Sequence, residues 1–104
     1  MSAMSDSVAT RQVVVSNPQG MHARPAEMFA KLALKFNSAI EVAREELAVD
    51  GKSILNLLTL GAAQGVALTL TARGDDAEDA VAAPVELVES DFAADETISR
   101  DRSG

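Results

Sequence analysis

The pattern of apolar and polar positions divides the first half of the chain into a strand, a loop and a helix. Residues 10–16 contain a run of valines and are followed by the turn-forming sequence 17–20, which predicts a strand and then a loop. Residues 23–36 repeat apolar side chains at helical spacing, which predicts an amphipathic helix with Pro25 in its first turn. Its expected buried stripe is Met28, Phe29, Leu32, Ala33 and Phe36.

The second half of the chain continues with short elements. Two extended segments, residues 38–43 and 47–50, are expected to form a hairpin. An apolar segment suited to a short helix follows at residues 53–60. Residues 65–73 alternate Val and Leu with Ala and Thr, the period of a half-buried strand.

A final helix is expected after Gly74, where Asp75 and Glu78 have the spacing of a capping box. The expected buried stripe of this helix is Ala77, Val81, Val85 and Val88. Pro84 lies inside the same segment, where a proline costs about 3 kcal/mol or bends the helix.

The element order β-α-β-β-α-β-α predicts an α+β fold, in which helices cover one face of an antiparallel four-stranded sheet. The length suits one domain, which we expect to span residues 10–92. Residues 1–9 and 93–104 have little to bury and are predicted to be flexible tails. We expect a monomer, because a protein that serves several partners in turn must keep its site exposed.

Charge and composition narrow the range of functions. The net charge of −7 disfavours nucleic acid and anionic membranes as partners, and the chain has no cysteine and no apolar run long enough to span a bilayer. We therefore expect a cytoplasmic protein whose partner is another protein or a small ligand. The acidic residues at 75–79 are better explained by helix capping and solvation than by a metal site, and no metal or cofactor is expected.

The chemistry of the chain centres on His22, its only histidine, which lies between a glycine turn and the start of the first predicted helix. A helix N-terminus offers unpaired backbone N–H groups and a partial positive charge, so a phosphoryl group on His22 would find donors there. Arg24 adds a guanidinium that binds phosphate oxygens. The alternative is that His22 only caps the helix and that Arg24 is a solvated surface charge.

The segment Gly20-Met21-His22-Ala23-Arg24-Pro25-Ala26 resembles the active-site motif of HPr, the phosphocarrier of the bacterial phosphoenolpyruvate-dependent sugar phosphotransferase system. A second segment, residues 52–61, resembles the regulatory-serine segment of that family, and the likeness extends over about residues 10–89. The resemblance implies an open-faced β-sandwich.

The resemblance also implies roles for single residues. Nδ1 of His22 would accept a phosphoryl group from enzyme I and pass it to a sugar-specific enzyme IIA, with Arg24 assisting. Ser53 would be the serine that an HPr kinase/phosphorylase modifies from ATP. On the residues alone, however, Ser53 is also a good N-cap for the short helix, and the two roles are compatible.

Partner contacts are expected from residues around these two motifs: Ala23, Glu27, Ile54, Leu55 and Leu58. A short helix cannot bury every side, so some of this apolar surface should remain exposed, although Leu55 or Leu58 could equally be buried. Glu27 and Leu34 depart from the family pattern and reduce the positive charge near the site, which would affect the choice of partner.

Two further functions remain open from the sequence. The protein could act mainly as a regulator that Ser53 phosphorylation controls through protein binding. It could also be a small interaction domain in which His22 is an inert cap.

Overall fold

The computed structural model describes residues 7–93, which form seven elements in the order predicted from the sequence. The strands are β1 (Val8–Val14), β2 (Ala39–Arg44), β3 (Leu47–Asp50) and β4 (Ala67–Arg73). The helices are α1 (Ala23–Ala33), α2 (Ile54–Thr59) and α3 (Ala77–Glu89). Within residues 7–93, no helix combines the length and the apolar character needed to cross a membrane.

The four strands form one antiparallel sheet in the order β1-β4-β2-β3. The register pairs Val13 with Leu68, Leu70 with Val42, and Val42 with Val49. Because alternate residues of a strand face the same side of the sheet, these buried side chains form one continuous apolar face.

The helices cover that face and leave the other one open. Helix α3 packs on β1 and β4, and α1 contacts both α2 and α3. Phe29 of α1, Leu57 of α2 and Val81 of α3 are fully buried. On the opposite face, Thr10, Thr71 and Glu41 lie side by side in the register and are exposed or half-buried. The predicted α+β, open-faced architecture is confirmed.

The boundaries of β1 and of the domain differ from the prediction. Strand β1 begins at Val8, two residues before the predicted start, because Val8 and Ala9 pair with Arg73 and Ala72 of β4. The boundary placed after residue 9 is therefore wrong for these two residues. The rest of the two predicted tails, residues 1–6 and 94–104, lies outside the described residues.

Helix α1 ends at Ala33, three residues before the predicted end. The N–H groups of Lys35 and Phe36 donate to Leu32 O and Ala33 O, three residues back, so the helix is followed by tighter turns of the 3₁₀ type. Phe29 and Ala33 are buried as predicted, whereas the other three residues of the expected stripe, Met28, Leu32 and Phe36, are only half-buried.

Helix α3 contains the predicted buried stripe but not the predicted cap. The N-cap is Asp76, one residue after Asp75, and its side chain makes no capping hydrogen bond. Instead its carboxylate accepts hydrogen bonds from Asn37 N at 2.9 Å, Ser38 N at 2.9 Å and Ser38 Oγ at 2.5 Å. The predicted capping box of Asp75 and Glu78 is wrong, because the N-cap lies one residue later and its carboxylate binds the Asn37–Ser38 loop instead of the first turn of the helix. Pro84 is fully buried, and the helix is continuous through it.

Candidate functional site

His22 is the N-cap residue of α1 and has the extended backbone that this position requires (φ −96°, ψ −166°). Its carbonyl oxygen accepts the first helical hydrogen bond from Ala26 N at 2.9 Å. Its exposed side chain makes no capping hydrogen bond, so the imidazole is not used to terminate the helix. The ring is therefore available to a reactant beside the N-terminus of α1.

The loop before His22 is held by hydrogen bonds at both ends. Asn17 Nδ2 donates to Gly20 O at 2.9 Å, and Gly20 N donates to Asn17 O at 3.1 Å. Met21 N then donates to Ala62 O at 2.8 Å, which ties the loop to the segment between α2 and β4. Gly20 has φ +70°, and a Cβ atom there would lie 2.3 Å from Ala62 O. Only glycine fits this position, because both the conformation and the space exclude a side chain.

His22 and Arg24 line the same surface cleft, which has a volume of about 170 Å³. Both come from the first turn of α1 or its cap, while Asn17 belongs to the preceding loop. Asp91 and Phe92, which follow α3, also line the cleft. The structure thus places the histidine, a guanidinium and a helix N-terminus together, an arrangement suited to holding an anionic group on the ring.

Asn17 and Asp91 belong to this site although the sequence did not predict them there. Asn17 is recognisable only as a turn residue, although it is 7% exposed and its Oδ1 accepts no hydrogen bond from residues 7–93. Asp91 reaches the cleft because it and Phe92 adopt positive φ values of 60° and 62° after α3. The hydroxyl of Ser16 donates to Asp91 Oδ1 and fixes the carboxylate. No local pattern marks such a contact across 75 residues.

Ser53 lies outside this cleft, at the N-cap of α2. Its Oγ accepts hydrogen bonds from Asn56 N at 3.2 Å and Asn56 Nδ2 at 3.0 Å. The other end of α2 is held by Arg44, whose Nη1 donates to Leu60 O and Gly61 O at 2.8 Å each. Both ends of this short helix are therefore satisfied by side chains.

The outer side of α2 presents an apolar surface made of Ile54, Leu55 and Leu58, with exposed fractions of 39%, 74% and 37%. The possibility that Leu55 or Leu58 is buried is therefore wrong, and Leu57 alone anchors the helix to the core. Helix α2, which carries this surface, contacts α1, the helix that begins after His22.

The remaining predicted contact residues surround the start of α1. Ala23 and Glu27 are exposed, and Glu27 pairs with Lys31 at 3.4 Å. Arg24 and Glu27 also line a shallow neighbouring cleft. Leu34, the C-cap residue at the other end of α1, is 62% exposed. Both residues that depart from the family pattern, Glu27 and Leu34, are thus exposed.

The fold agrees with comparisons to known proteins. The family model PTS-HPr, described as the "PTS HPr component phosphorylation site", matches residues 9–90. The phosphocarrier protein HPr of Lysinibacillus sphaericus is 43% identical over 76% of this chain and 90% of its own length. HPr of Buchnera aphidicola subsp. Acyrthosiphon pisum is 41% identical over 67% of this chain and 82% of its own length.

Solved structures give the same result. HPr-C-His from Thermoanaerobacter tengcongensis superimposes with a TM-score of 0.79 and 41% identity, covering 82% of this chain and 96% of that structure. Sequence and structure match over the region that contains both His22 and Ser53. The chain belongs to the HPr family, the phosphocarriers of the phosphotransferase system.

Proposed function

We propose that Nδ1 of His22 accepts a phosphoryl group from phosphoenolpyruvate-charged enzyme I and passes it to a sugar-specific enzyme IIA in the cytoplasm. The observation that carries the proposal is the exposed His22 ring, which makes no capping bond although it occupies the N-cap of α1. An ordinary N-cap side chain accepts a hydrogen bond from the first turn, so the position serves another purpose here.

The chemistry needs only the residues of the cleft. The Nδ1 lone pair of a neutral His22 ring attacks phosphorus, a new phosphorus–nitrogen bond forms, and the bond to the donor breaks with its electron pair kept by the donor. Charge on the phosphoryl oxygens is met by the Arg24 guanidinium and by the N-terminal end of α1. The second transfer reverses these events, with the His22 ring as the leaving group.

The surroundings of His22 support docking of partner proteins. Ile54, Leu55 and Leu58 offer an exposed apolar surface on α2, and Ala23 and Glu27 are exposed on α1, the helix that His22 caps. Small apolar patches rimmed by polar groups are typical of transient protein interfaces. The same exposed arrangement suits a monomer that meets its donor and its acceptor in turn.

The test is incubation with enzyme I and labelled phosphoenolpyruvate, followed by addition of enzyme IIA. We expect acid-labile, base-stable label on the wild type, none on His22→Ala, and onward transfer to enzyme IIA. Arg24→Lys keeps the charge but loses the forked donors, so it should be labelled more slowly. Absence of label on the wild type, under conditions that label another HPr, would refute the relay and favour an interaction domain with an inert cap histidine.

We also propose that phosphorylation of Ser53 regulates this transfer. Ser53 directly precedes Ile54 and Leu55 of the apolar surface, so a phosphate there would bring nearly two negative charges to the proposed docking surface. Its effect would be to weaken contact with enzyme I. Incubation with an HPr kinase/phosphorylase and ATP should phosphorylate the wild type and not Ser53→Ala. Equal rates of His22 labelling before and after Ser53 phosphorylation would refute the regulation.

A further inference from the structure

A carboxylate lines the cleft that a phosphoryl group on His22 would occupy. Asp91 lines this cleft together with His22 and Arg24, and the Ser16 hydroxyl donates to its Oδ1. The backbone also fixes Asp91, because Asp91 N donates to Val88 O at 3.0 Å and Phe92 N donates to Leu87 O at 2.9 Å. The negative charge is therefore held in place and does not depend on a freely rotating surface chain.

The size of the cleft sets the strength of the interaction. The cleft has a volume of about 170 Å³, and His22, Arg24 and Asp91 all line it. Coulomb repulsion between charges that share so small a cleft is still appreciable in a solvated environment. The phosphoryl group carries nearly two negative charges, so a fixed carboxylate opposes its presence.

A second observation points in the same direction. Asn17 lines the same cleft, is 93% buried, and directs its amide nitrogen to Gly20 O, while its Oδ1 accepts no hydrogen bond within the described part of the chain. Oδ1 is an acceptor and is buried, so it offers nothing to a phosphoryl oxygen in the cleft. The favourable groups come from α1, and Asp91 adds a negative charge to the cleft.

We propose that Asp91 sets the phosphoryl-transfer potential of His22, by raising the free energy of the phosphorylated form so that the group is readily passed on. This inference rests on the proposed relay function. A carrier that bound its phosphoryl group only through Arg24 and the helix N-terminus would hold it too tightly. Stabilising the phosphorylated form lowers its free energy and so raises the free-energy barrier to onward transfer. Asp91 offsets part of that stabilisation.

The Asp91→Asn variant isolates the charge. Asparagine keeps the acceptor oxygen for Ser16 and tolerates positive φ at least as well as aspartate, so the turn is preserved. Asp79→Asn is the matched control: it makes the same change in net charge in the first turn of α3, about 15 Å or more along the helix from Asp91.

The experiment is a competition at equilibrium. Isotope-labelled wild type and one unlabelled variant, in equal amounts, receive limiting phosphoenolpyruvate with a catalytic amount of enzyme I, and mass spectrometry gives the phosphorylated fraction of each. At low salt we expect Asp91→Asn to hold the phosphoryl group about threefold better than wild type, and the ratio to approach one in about 0.5 M salt. The control should match wild type throughout.

How well a variant docks on enzyme I does not affect the result, because a catalyst does not change the equilibrium distribution of phosphoryl groups between wild type and variant. An Asp91→Asn ratio equal to that of the control, or one that salt does not change, would overturn the proposal. If enzyme I loads neither protein, the relay function has failed, and phosphoramidate then tests Asp91 by itself. Phosphoramidate loses ammonia as its phosphorus forms a bond to His22, and slower hydrolysis of phosphorylated Asp91→Asn than of the control would support the electrostatic role.

Discussion

The backbone N–H of Met21 donates to the carbonyl oxygen of Ala62 at 2.8 Å, and this bond joins the loop before His22 to the loop after α2. Gly20 makes the approach possible, since the two backbones come so close that a Cβ atom at Gly20 would lie 2.3 Å from Ala62 O and 2.8 Å from Ala63 Cα. The position of His22 therefore depends on a contact between two loops that are far apart in the sequence.

Gly20→Ala is expected to destabilise the fold by at least about 2 kcal/mol, because the methyl group clashes with backbone and the left-handed conformation disfavours alanine. Phosphorylation of His22 should slow in parallel, since the loop must move to admit the side chain. Urea unfolding gives the stability, and the initial rate of labelling by enzyme I gives the activity.

The control for this variant is Gly65→Ala. Gly65 has φ +92° but no atom within 4 Å of the added Cβ, so it measures the backbone cost without a clash. We expect a loss of about 1–2 kcal/mol there and normal labelling of His22. Equal urea midpoints and equal labelling for the two variants would show that the contact with Ala62 does not position the loop.

Ser53→Ala should destabilise the protein by about 1 kcal/mol, because Asn56 N and Asn56 Nδ2 both lose the oxygen that caps α2. Ser53→Asp restores an acceptor at the same position and should recover most of that loss. Urea unfolding of the three proteins measures the difference. A stability of Ser53→Asp no greater than that of Ser53→Ala would contradict a capping role for the side chain.

The features that local sequence determines were predictable. The valine run, the Asn-Pro turn and the helical spacing after His22 fix β1, the loop and α1 through interactions between near neighbours. The same logic placed His22 at a helix N-terminus and Ser53 at an N-cap, and it predicted the buried stripe of α3.

The features that could not be predicted from the sequence depend on contacts between distant segments. Asp75 and Glu78 have the spacing of a capping box, yet the N-cap is Asp76, and Ser38 and Asn37 hold its carboxylate. Strand β1 begins at Val8 because β4 supplies a partner there, which no local pattern reveals. Asp91 enters the cleft through a left-handed turn fixed by Ser16, so its place in the site could be recognised only in three dimensions.

Leu55 and Leu57 are adjacent in α2 but should respond in opposite ways to truncation. Leu55→Ala removes a side chain that is 74% exposed, so we expect almost no change in stability and weaker binding to enzyme I. Leu57→Ala leaves a cavity in the core and should cost about 2–5 kcal/mol. Urea unfolding and calorimetric titration with enzyme I separate the two effects. Wild-type affinity of Leu55→Ala would exclude Leu55 from the docking surface.

Asp76 should make the stability of the protein depend on pH in the acid range. Hydrogen bonds from the Ser38 side chain, and then from the backbone N–H of Asn37, lower the pKa of the Asp76 carboxyl below 3.8. A carboxyl with a depressed pKa in the folded state stabilises the protein above the pKa of the unfolded chain, and this contribution is lost as the pH falls through the folded value. The loss is thus expected below pH 3.8.

Asp76→Asn provides the test, because its NH₂ group cannot accept a hydrogen bond from Asn37 N or Ser38 N, and the charge is gone. We expect a lower urea midpoint than wild type at pH 6, and a difference that shrinks as the pH is lowered through and below 3.8. Asp75→Asn removes the same charge from the adjacent exposed position and is the control. If the urea midpoints of wild type and Asp76→Asn differ by the same amount across this pH range, the ionisation of Asp76 does not stabilise the fold. The contribution of Asp76 to stability would then come from the shape of its side chain.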